Sequence, residues 1–128
     1  MREKDRAWSI VSRAQSFTHA LRGIRIFFIT TPNALLQVLA AFAVIILGFY
    51  FHISEGEWLA VILTIGLVFI AEIINTAIEI DINLTSPEFH PYARDTKDVA
   101  AGAVFFAALV SIIVGLIVFL PHILALFL

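Results

Sequence analysis

The sequence predicts an all-α integral membrane protein, with an N-terminal amphipathic surface helix followed by three transmembrane helices. Composition is the first observation, because 61% of the 128 residues are hydrophobic and only 14% are charged, whereas soluble domains carry about 25% charged residues. The second observation is three apolar runs close to the length of about 20 residues that a spanning helix needs. A chain this short could not bury so much apolar surface in its own core, so lipid must cover much of it.

The predicted elements follow one another within a single membrane domain, residues 1–128. The surface helix covers about residues 5–28, and the three spans cover about 34–51, 57–80 and 99–120. A cytoplasmic loop over about 83–97 joins the second and third spans, and the tail after Pro121 is expected at the membrane interface.

The surface helix is predicted from apolar residues that recur at steps of three and four, with arginines mainly off that stripe. Such a helix lies on an anionic membrane surface, either as a simple anchor or as part of a site. The stripe consists of Ala7, Ile10, Ala14, Phe17, Leu21 and Ile24.

The distribution of basic residues predicts the topology. All eight Lys and Arg residues lie in the N-terminal segment or between residues 83 and 98, and the 52–57 turn contains none. The positive-inside rule therefore places the N-terminus and the 83–97 loop in the cytoplasm. Three helices are few for enclosing a polar site, so we also expect a homo-oligomer.

A polar face interrupts the apolar second span near its cytoplasmic end. With an advance of about 100° per residue, Asn75 and Glu79 lie within about 60° of Glu72, whereas Asp81 lies on the opposite side. A charge at this depth costs about 2.5–3.5 kcal/mol, which favours a metal, proton or phosphate role. The alternative is polar contact between helices that serves only packing. The members of this face are Glu72, Asn75, Thr76, Glu79 and, if the helix continues, Asn83.

The 86–98 segment faces the same compartment and carries further polar residues with two possible roles each. Asp95 and Asp98 near the start of the third helix would suit the helix dipole. Lys97 is either a structural ion-pair partner or a phosphate ligand, and His90 is either a site residue or a surface histidine. The sequence contains no cysteine, which excludes disulfides and thiolate sites. It also contains no glycine-rich phosphate-binding motif, so nucleotide binding could not use a P-loop.

Several of these stretches together resemble the small bacterial membrane kinases, namely diacylglycerol kinase and its undecaprenol kinase relatives. The resemblance rests on "AEIINTAIE", "SPEFHP" and "KDVAAGAV", with "SFTHALRGIR" near the N-terminus, and covers nearly the whole chain. It implies a homotrimer in the bacterial plasma membrane with active sites shared between protomers. It also implies transfer of the γ-phosphate of MgATP to a lipid alcohol, either undecaprenol or diacylglycerol. The implied partners are this lipid, ATP and membrane lipids, and no nucleic acid.

The resemblance also implies residue roles by matching position. Glu72 would be the general base, Asn75 would orient the base and the phosphate, and Glu79 would hold Mg²⁺. Lys97 would contact the β- and γ-phosphates. The residues assigned to the nucleotide and its cofactor are Glu79, Asn83, Glu88, His90, Lys97 and Asp98.

The sequence departs from the family at two positions. Where the family usually has a metal-binding glutamate at the start of the first span, this chain has Thr31, which could still hold Mg²⁺ directly or through water. Where the family usually has an aspartate after the second glutamate, this chain has Asn83.

Three functions are therefore compatible with the residues. The first is an active lipid kinase. The second is a nucleotide- or lipid-binding relative with weak or no catalysis, because Thr31 replaces a metal ligand. The third is an ion or proton pathway subunit, which intramembrane acids alone would suggest. The apolar outer halves of the spans argue against the third.

Overall fold

The computed structural model describes residues 2–128, and for Ala7 it describes the backbone only. The described residues form helices and no strands. The helices are α1 (Glu3–Thr30), α2 (Ala34–Tyr50), α3 (Glu55–Thr85) and α4 (Pro91–Phe127). The all-α prediction is confirmed. The chain divides into two units, one ending at Ala34 and one running from Leu35 to Leu128.

The first unit consists mainly of α1. At its start, the Asp5 carboxylate accepts a hydrogen bond from the Arg2 backbone N–H at 3.2 Å, and the Asp5 backbone N–H donates to the Arg2 carbonyl at 2.9 Å. Ile10, Phe17 and Leu21 of the predicted apolar stripe are exposed, whereas the side chain of Ala7 lies outside the described part. Membrane-surface binding by this helix stays a prediction.

Helices α3 and α4 are long and apolar enough to cross a membrane. Helix α2 has 17 residues. Taken together with the preceding helix, it is also long and apolar enough to cross a membrane. The described residues thus contain two or three candidate spans, as expected of a membrane protein.

The turn from α2 into α3 is fixed by local hydrogen bonds. His52 adopts the left-handed backbone region with φ of 51°. Ser54 then caps α3: its hydroxyl accepts from the Glu57 N–H at 3.2 Å, while Glu57 Oε1 accepts from the Ser54 N–H at 3.3 Å. This capping box satisfies two donors at the helix end and sets where α3 begins.

Helices α3 and α4 form the closely packed antiparallel pair of the second unit. At one end of the pair, His122 of α4 lies 3.1 Å from Glu57 of α3. The small apolar core lies at this same end and consists of Ile53, Val61, Val118 and Phe119. The opposite end carries the polar residues described below.

The connection between α3 and α4 is shorter than the predicted loop over about 83–97. Helix α3 continues to Thr85, and α4 already begins at Pro91, so only residues 86–90 connect them. A proline is well accommodated at the first helical position, because its missing N–H would have no partner there. The predicted loop was too long because its limits were placed where the apolar sequence ends. Both helices continue beyond those limits into polar sequence.

Most large apolar side chains of α3 and α4 face outward. Leu63 is 71% exposed and Ile117 is 68% exposed. A soluble chain would bury such residues, so their environment must be lipid or a neighbouring chain.

Candidate active site

Glu72 is a buried carboxylate inside the candidate span α3. Its side chain is 6% exposed, and its Oε1 accepts a hydrogen bond from Nε2 of Gln37 at 2.7 Å. Gln37 belongs to α2, so two helices meet at this carboxylate. Burying a carboxylate requires such a partner, because an unpaired charge would lose its hydration without compensation.

Asn75 and Glu79 continue the polar face one and two turns further along α3. Asn75 Nδ2 donates a hydrogen bond to Glu79 Oε1 at 3.3 Å. Asn75 Oδ1 is buried and has no hydrogen-bond partner among the described residues. A buried acceptor without a partner costs about 1–3 kcal/mol, so this oxygen is suited to a ligand or a cation.

Lys97 joins the polar face of α3 to α4. Its Nζ donates a hydrogen bond to Asn83 Oδ1 at 2.6 Å. The structure therefore brings together two residues that the sequence assigned separately to the nucleotide site. By helix rise, Asn83 lies about 16 Å along α3 from Glu72. A buried carboxylate thus stands at one end of the face and a cationic group at the other.

A small polar cavity of about 240 Å³ lies beside Lys97, where α3 connects to α4. Five of the residues predicted to bind the nucleotide or its cofactor line it, together with Arg94 and Phe89. Those five are Asn83, Glu88, His90, Lys97 and Asp98.

His90 also has a local structural role. Its Nδ1 accepts a hydrogen bond from the Tyr92 backbone N–H at 3.1 Å, which makes it the N-cap of α4. Glu88 is exposed at the rim of the same cavity. The capping contact explains a histidine here without a ligand, and its nucleotide role stays a prediction.

The remaining predicted residues lie at element ends or on other faces. Thr31 ends α1, where its backbone N–H donates to the Phe27 carbonyl at 2.9 Å. Asp81 is exposed on α3. Asp95 and Asp98 lie within α4 rather than in its first turn, since the helix begins at Pro91, so they do not contact free N–H groups of that helix end.

A larger, mainly apolar groove of about 860 Å³ runs between α3 and α4. Its walls are aliphatic and aromatic side chains such as Ile70, Ile74 and Phe106, and its polar lining includes Asn75 and Asp95. The groove thus meets the polar face at Asn75.

The donor set is compatible with Mg²⁺ supplied together with a nucleotide. Within residues 2–128, no three His, Asp or Glu side chains converge on one point. Mg²⁺ is usually held by one or two carboxylates plus phosphates and water. Glu79 and the unpartnered Oδ1 of Asn75 provide oxygen donors of that kind.

Sequence analysis did not identify two residues of this region. Gln37 is the only amide or charged residue of α2, and its position inside an apolar helix was the available signal. Arg94 lines the 240 Å³ cavity, and its guanidinium lies 5.8 Å from the centre of the Phe89 ring. Nothing in its spacing separated it from an ordinary surface arginine.

Known proteins are similar in sequence to this chain over most of its length. A family profile for prokaryotic diacylglycerol kinase matches residues 18–119. Undecaprenol kinase of Bacillus subtilis is 45% identical over 107 residues, which are 84% of this chain and 87% of the relative. Diacylglycerol kinase of Synechocystis is 35% identical over 122 residues, 94% of this chain and 70% of that relative. Diacylglycerol kinase of Helicobacter pylori is 34% identical over 91 residues, 71% of this chain and 68% of that relative.

The family match covers the residues of α3 and α4 that form the polar face and the adjoining cavity. The matches confirm the resemblance found in the sequence, and they favour the first of the three functions considered there. The chain belongs to the prokaryotic diacylglycerol kinase family and is a lipid kinase.

Proposed function

We propose that this protein transfers the γ-phosphate of MgATP to the hydroxyl of a membrane lipid alcohol, with Glu72 as the general base. The observation that carries the proposal is the buried Glu72 carboxylate on the face of α3 that leads to Lys97. Phosphoryl transfer depends mainly on positioning and charge stabilisation, which this arrangement can provide.

The chemical step needs a base for the lipid hydroxyl. In the proposed reaction, Glu72 accepts the hydroxyl proton while the lipid oxygen forms a bond to the γ-phosphorus. The bond between that phosphorus and the bridging oxygen breaks, and ADP leaves. Asn75 and Glu79 hold the phosphates and their counter-ion beside the base.

The nucleotide end of the site is proposed around Lys97. Its ammonium group is held by Asn83 at 2.6 Å, so it can neutralise charge on the β- and γ-phosphates without a large side-chain rearrangement. The 240 Å³ cavity beside it would take part of the nucleotide, with Asp98, Glu88 and His90 at its walls.

Magnesium is proposed to bind at Glu79, whereas Thr31 as a weaker magnesium ligand stays a prediction from the sequence. When bound, Mg²⁺ would neutralise charge that develops on the transferring phosphate. Asn75 would contribute its unpartnered Oδ1 to this group or to the phosphate.

We propose undecaprenol as the preferred acceptor and diacylglycerol as the second. The relative with 45% identity is named undecaprenol kinase, whereas those named diacylglycerol kinase are 34% to 38% identical. Both acceptors combine one hydroxyl with long hydrocarbon chains, so the hydroxyl must reach Glu72 from the lipid phase.

The proposed arrangement in the membrane is a homotrimer with shared active sites in the bacterial plasma membrane. The N-terminus and the segment between α3 and α4 face the cytoplasm, where ATP is available. The basic residues near both segments support this orientation through the positive-inside rule.

The experiment is a turnover assay of the purified protein with labelled ATP, Mg²⁺ and a panel of lipid alcohols. Undecaprenol should be phosphorylated fastest. Glu72→Gln should lower kcat by roughly 10²–10⁴-fold, the contribution of a positioned general base.

Asp81→Asn is the matched control, because Asp81 is an exposed carboxylate elsewhere on the same helix. It should keep wild-type turnover. The proposal fails if no lipid alcohol is phosphorylated, or if Glu72→Gln retains full activity.

A further inference from the structure

We propose that Gln37 is a positioning residue of the kinase reaction, which holds the Glu72 carboxylate in place from α2. The inference rests on the proposed function, in which Glu72 is the general base. It assigns a role to a residue at which neither the sequence motifs nor the polar face of α3 pointed.

The contact itself is short and partly buried. Gln37 Nε2 lies 2.7 Å from Glu72 Oε1, at the short end of the range for N–H···O hydrogen bonds. Glu72 is buried and Gln37 is half-buried, so water competes little for this hydrogen bond. The two residues are 35 positions apart in the chain, and the contact therefore fixes one helix against another.

Glu72 accounts for the presence of an amide inside α2. The rest of that helix is apolar up to Tyr50, and a polar group in such a segment is costly unless it is used. The other end of the amide, Oε1, is buried and has no hydrogen-bond partner among the described residues. A glutamine that served only to join helices would be expected to satisfy both ends of its amide.

The amide orientation follows from the same contact. An amide turned the other way would place Oε1 against a carboxylate oxygen, and two acceptors would repel each other. Nε2 must therefore face Glu72. Gln37 also lines a small cavity of about 100 Å³, together with Ser111 of α4.

A general base on a long, flexible side chain acts more efficiently when a hydrogen bond fixes its orientation. The terminal torsion of a glutamate is broad, whereas a general base must stay within about 2.6–3.2 Å of the proton that it accepts. Gln37 engages Oε1 and leaves Oε2 outside this hydrogen bond. Because the amide is neutral, it orients the carboxylate without placing a charge beside it.

The test replaces the donor while keeping the volume. Gln37→Leu should lower kcat by about 10- to 100-fold, part of the roughly 10²–10⁴-fold that a positioned base supplies. The KM values for ATP and lipid should stay within about twofold, because the base acts in the chemical step. Gln37→His, which restores a ring N–H, should recover a large part of kcat.

Ser111→Ala serves as the control, because Ser111 lines the same cavity as Gln37, whereas Glu72 does not line it. It should leave kcat unchanged. Thermal unfolding in detergent should show that the Leu, His and Ala variants remain folded, so that a kcat loss is not a folding loss.

A double-mutant cycle tests whether Gln37 acts through Glu72. Glu72→Asp shortens the carboxylate out of reach of Gln37, and adding Gln37→Leu to it should cost little further turnover. Equal losses in both backgrounds would overturn the inference, as would unchanged kcat in Gln37→Leu or a raised KM for ATP with normal kcat. If the wild-type protein is active and only Glu72→Gln is inactive, the proposed function stands and the role of Gln37 falls.

Discussion

Lys97 is the residue where the nucleotide end of the proposed site can be tested most directly. Its ammonium group donates to Asn83 at 2.6 Å across two helices. Lys97→Met keeps the length of the side chain and removes the charge. The KM for ATP should rise at least about tenfold, because a charge-assisted contact to phosphate is worth about 1.5–3 kcal/mol. Steady-state kinetics with varied ATP measures this change.

Lys4 provides the matched control for that substitution, since it is the only other lysine in the chain. Lys4 is exposed in α1, and Lys4→Met should leave the KM for ATP unchanged. An unaltered KM in Lys97→Met would show that the lysine serves the α3–α4 contact and not the nucleotide.

At the level of single residues, the sequence was informative where residues share a helix. Glu72, Asn75 and Glu79 were placed on one face by spacing alone, and the Asn75–Glu79 hydrogen bond at 3.3 Å is the local contact expected at that spacing. The contact between Gln37 and Glu72 could not be predicted, because nothing in the sequence states which residue of α2 faces α3.

Among the elements, the junction of α2 and α3 depends on one glycine. A Cβ added at Gly48 would lie 2.6 Å from a ring atom of Trp58, which is closer than real Cβ contacts allow. Gly48→Ala should therefore cost about 1–3 kcal/mol of stability through overpacking alone. This loss should exceed the gain of about 1 kcal/mol that alanine brings to a helix interior. Thermal unfolding in detergent measures the effect.

Gly66 is the comparison for this prediction, because no atom lies within 4 Å of a Cβ added there. Gly66→Ala in the interior of α3 should leave stability unchanged or raise it. Equal stability of the two variants would mean that the Trp58 ring moves aside without cost.

The limits of the elements were predictable only in part. Apolar length located the two long helices, since the need to span lipid is a property of local sequence. The same criterion could not give their polar ends: α3 continues to Thr85 through Asp81 and Asn83, and α4 begins at Pro91. Capping by His90 and the following proline, not hydropathy, decides where α4 starts.

For the whole molecule, the testable property is the proposed trimer with shared sites. The Glu72→Gln protomer should be strongly impaired alone, and so should the Lys97→Met protomer at ATP concentrations well below its raised KM. If a site combines Glu72 of one protomer with Lys97 of its neighbour, random mixing of the two variants should restore about a quarter of wild-type activity in a symmetric oligomer. Co-expression followed by the turnover assay measures the recovery.

A wild-type protein co-expressed with the double variant, which carries both substitutions in one chain, controls for expression and exchange. Recovery that never exceeds the sum of the two separate variants would place the complete site within one chain. The Asn83–Lys97 contact within a single chain would then be its core.

Sequence reasoning alone was enough to predict an all-α membrane protein with acids on one face of its second span. Both properties depend on local features, namely the length of apolar runs and the helical repeat. The packing of the helices was needed to show that Gln37 contacts Glu72, 35 residues away in the chain, and that Lys97 contacts Asn83, 14 residues away. These contacts depend on how α2 and α4 pack against α3, and packing is set by the shapes of facing side chains rather than by the pattern of any one helix.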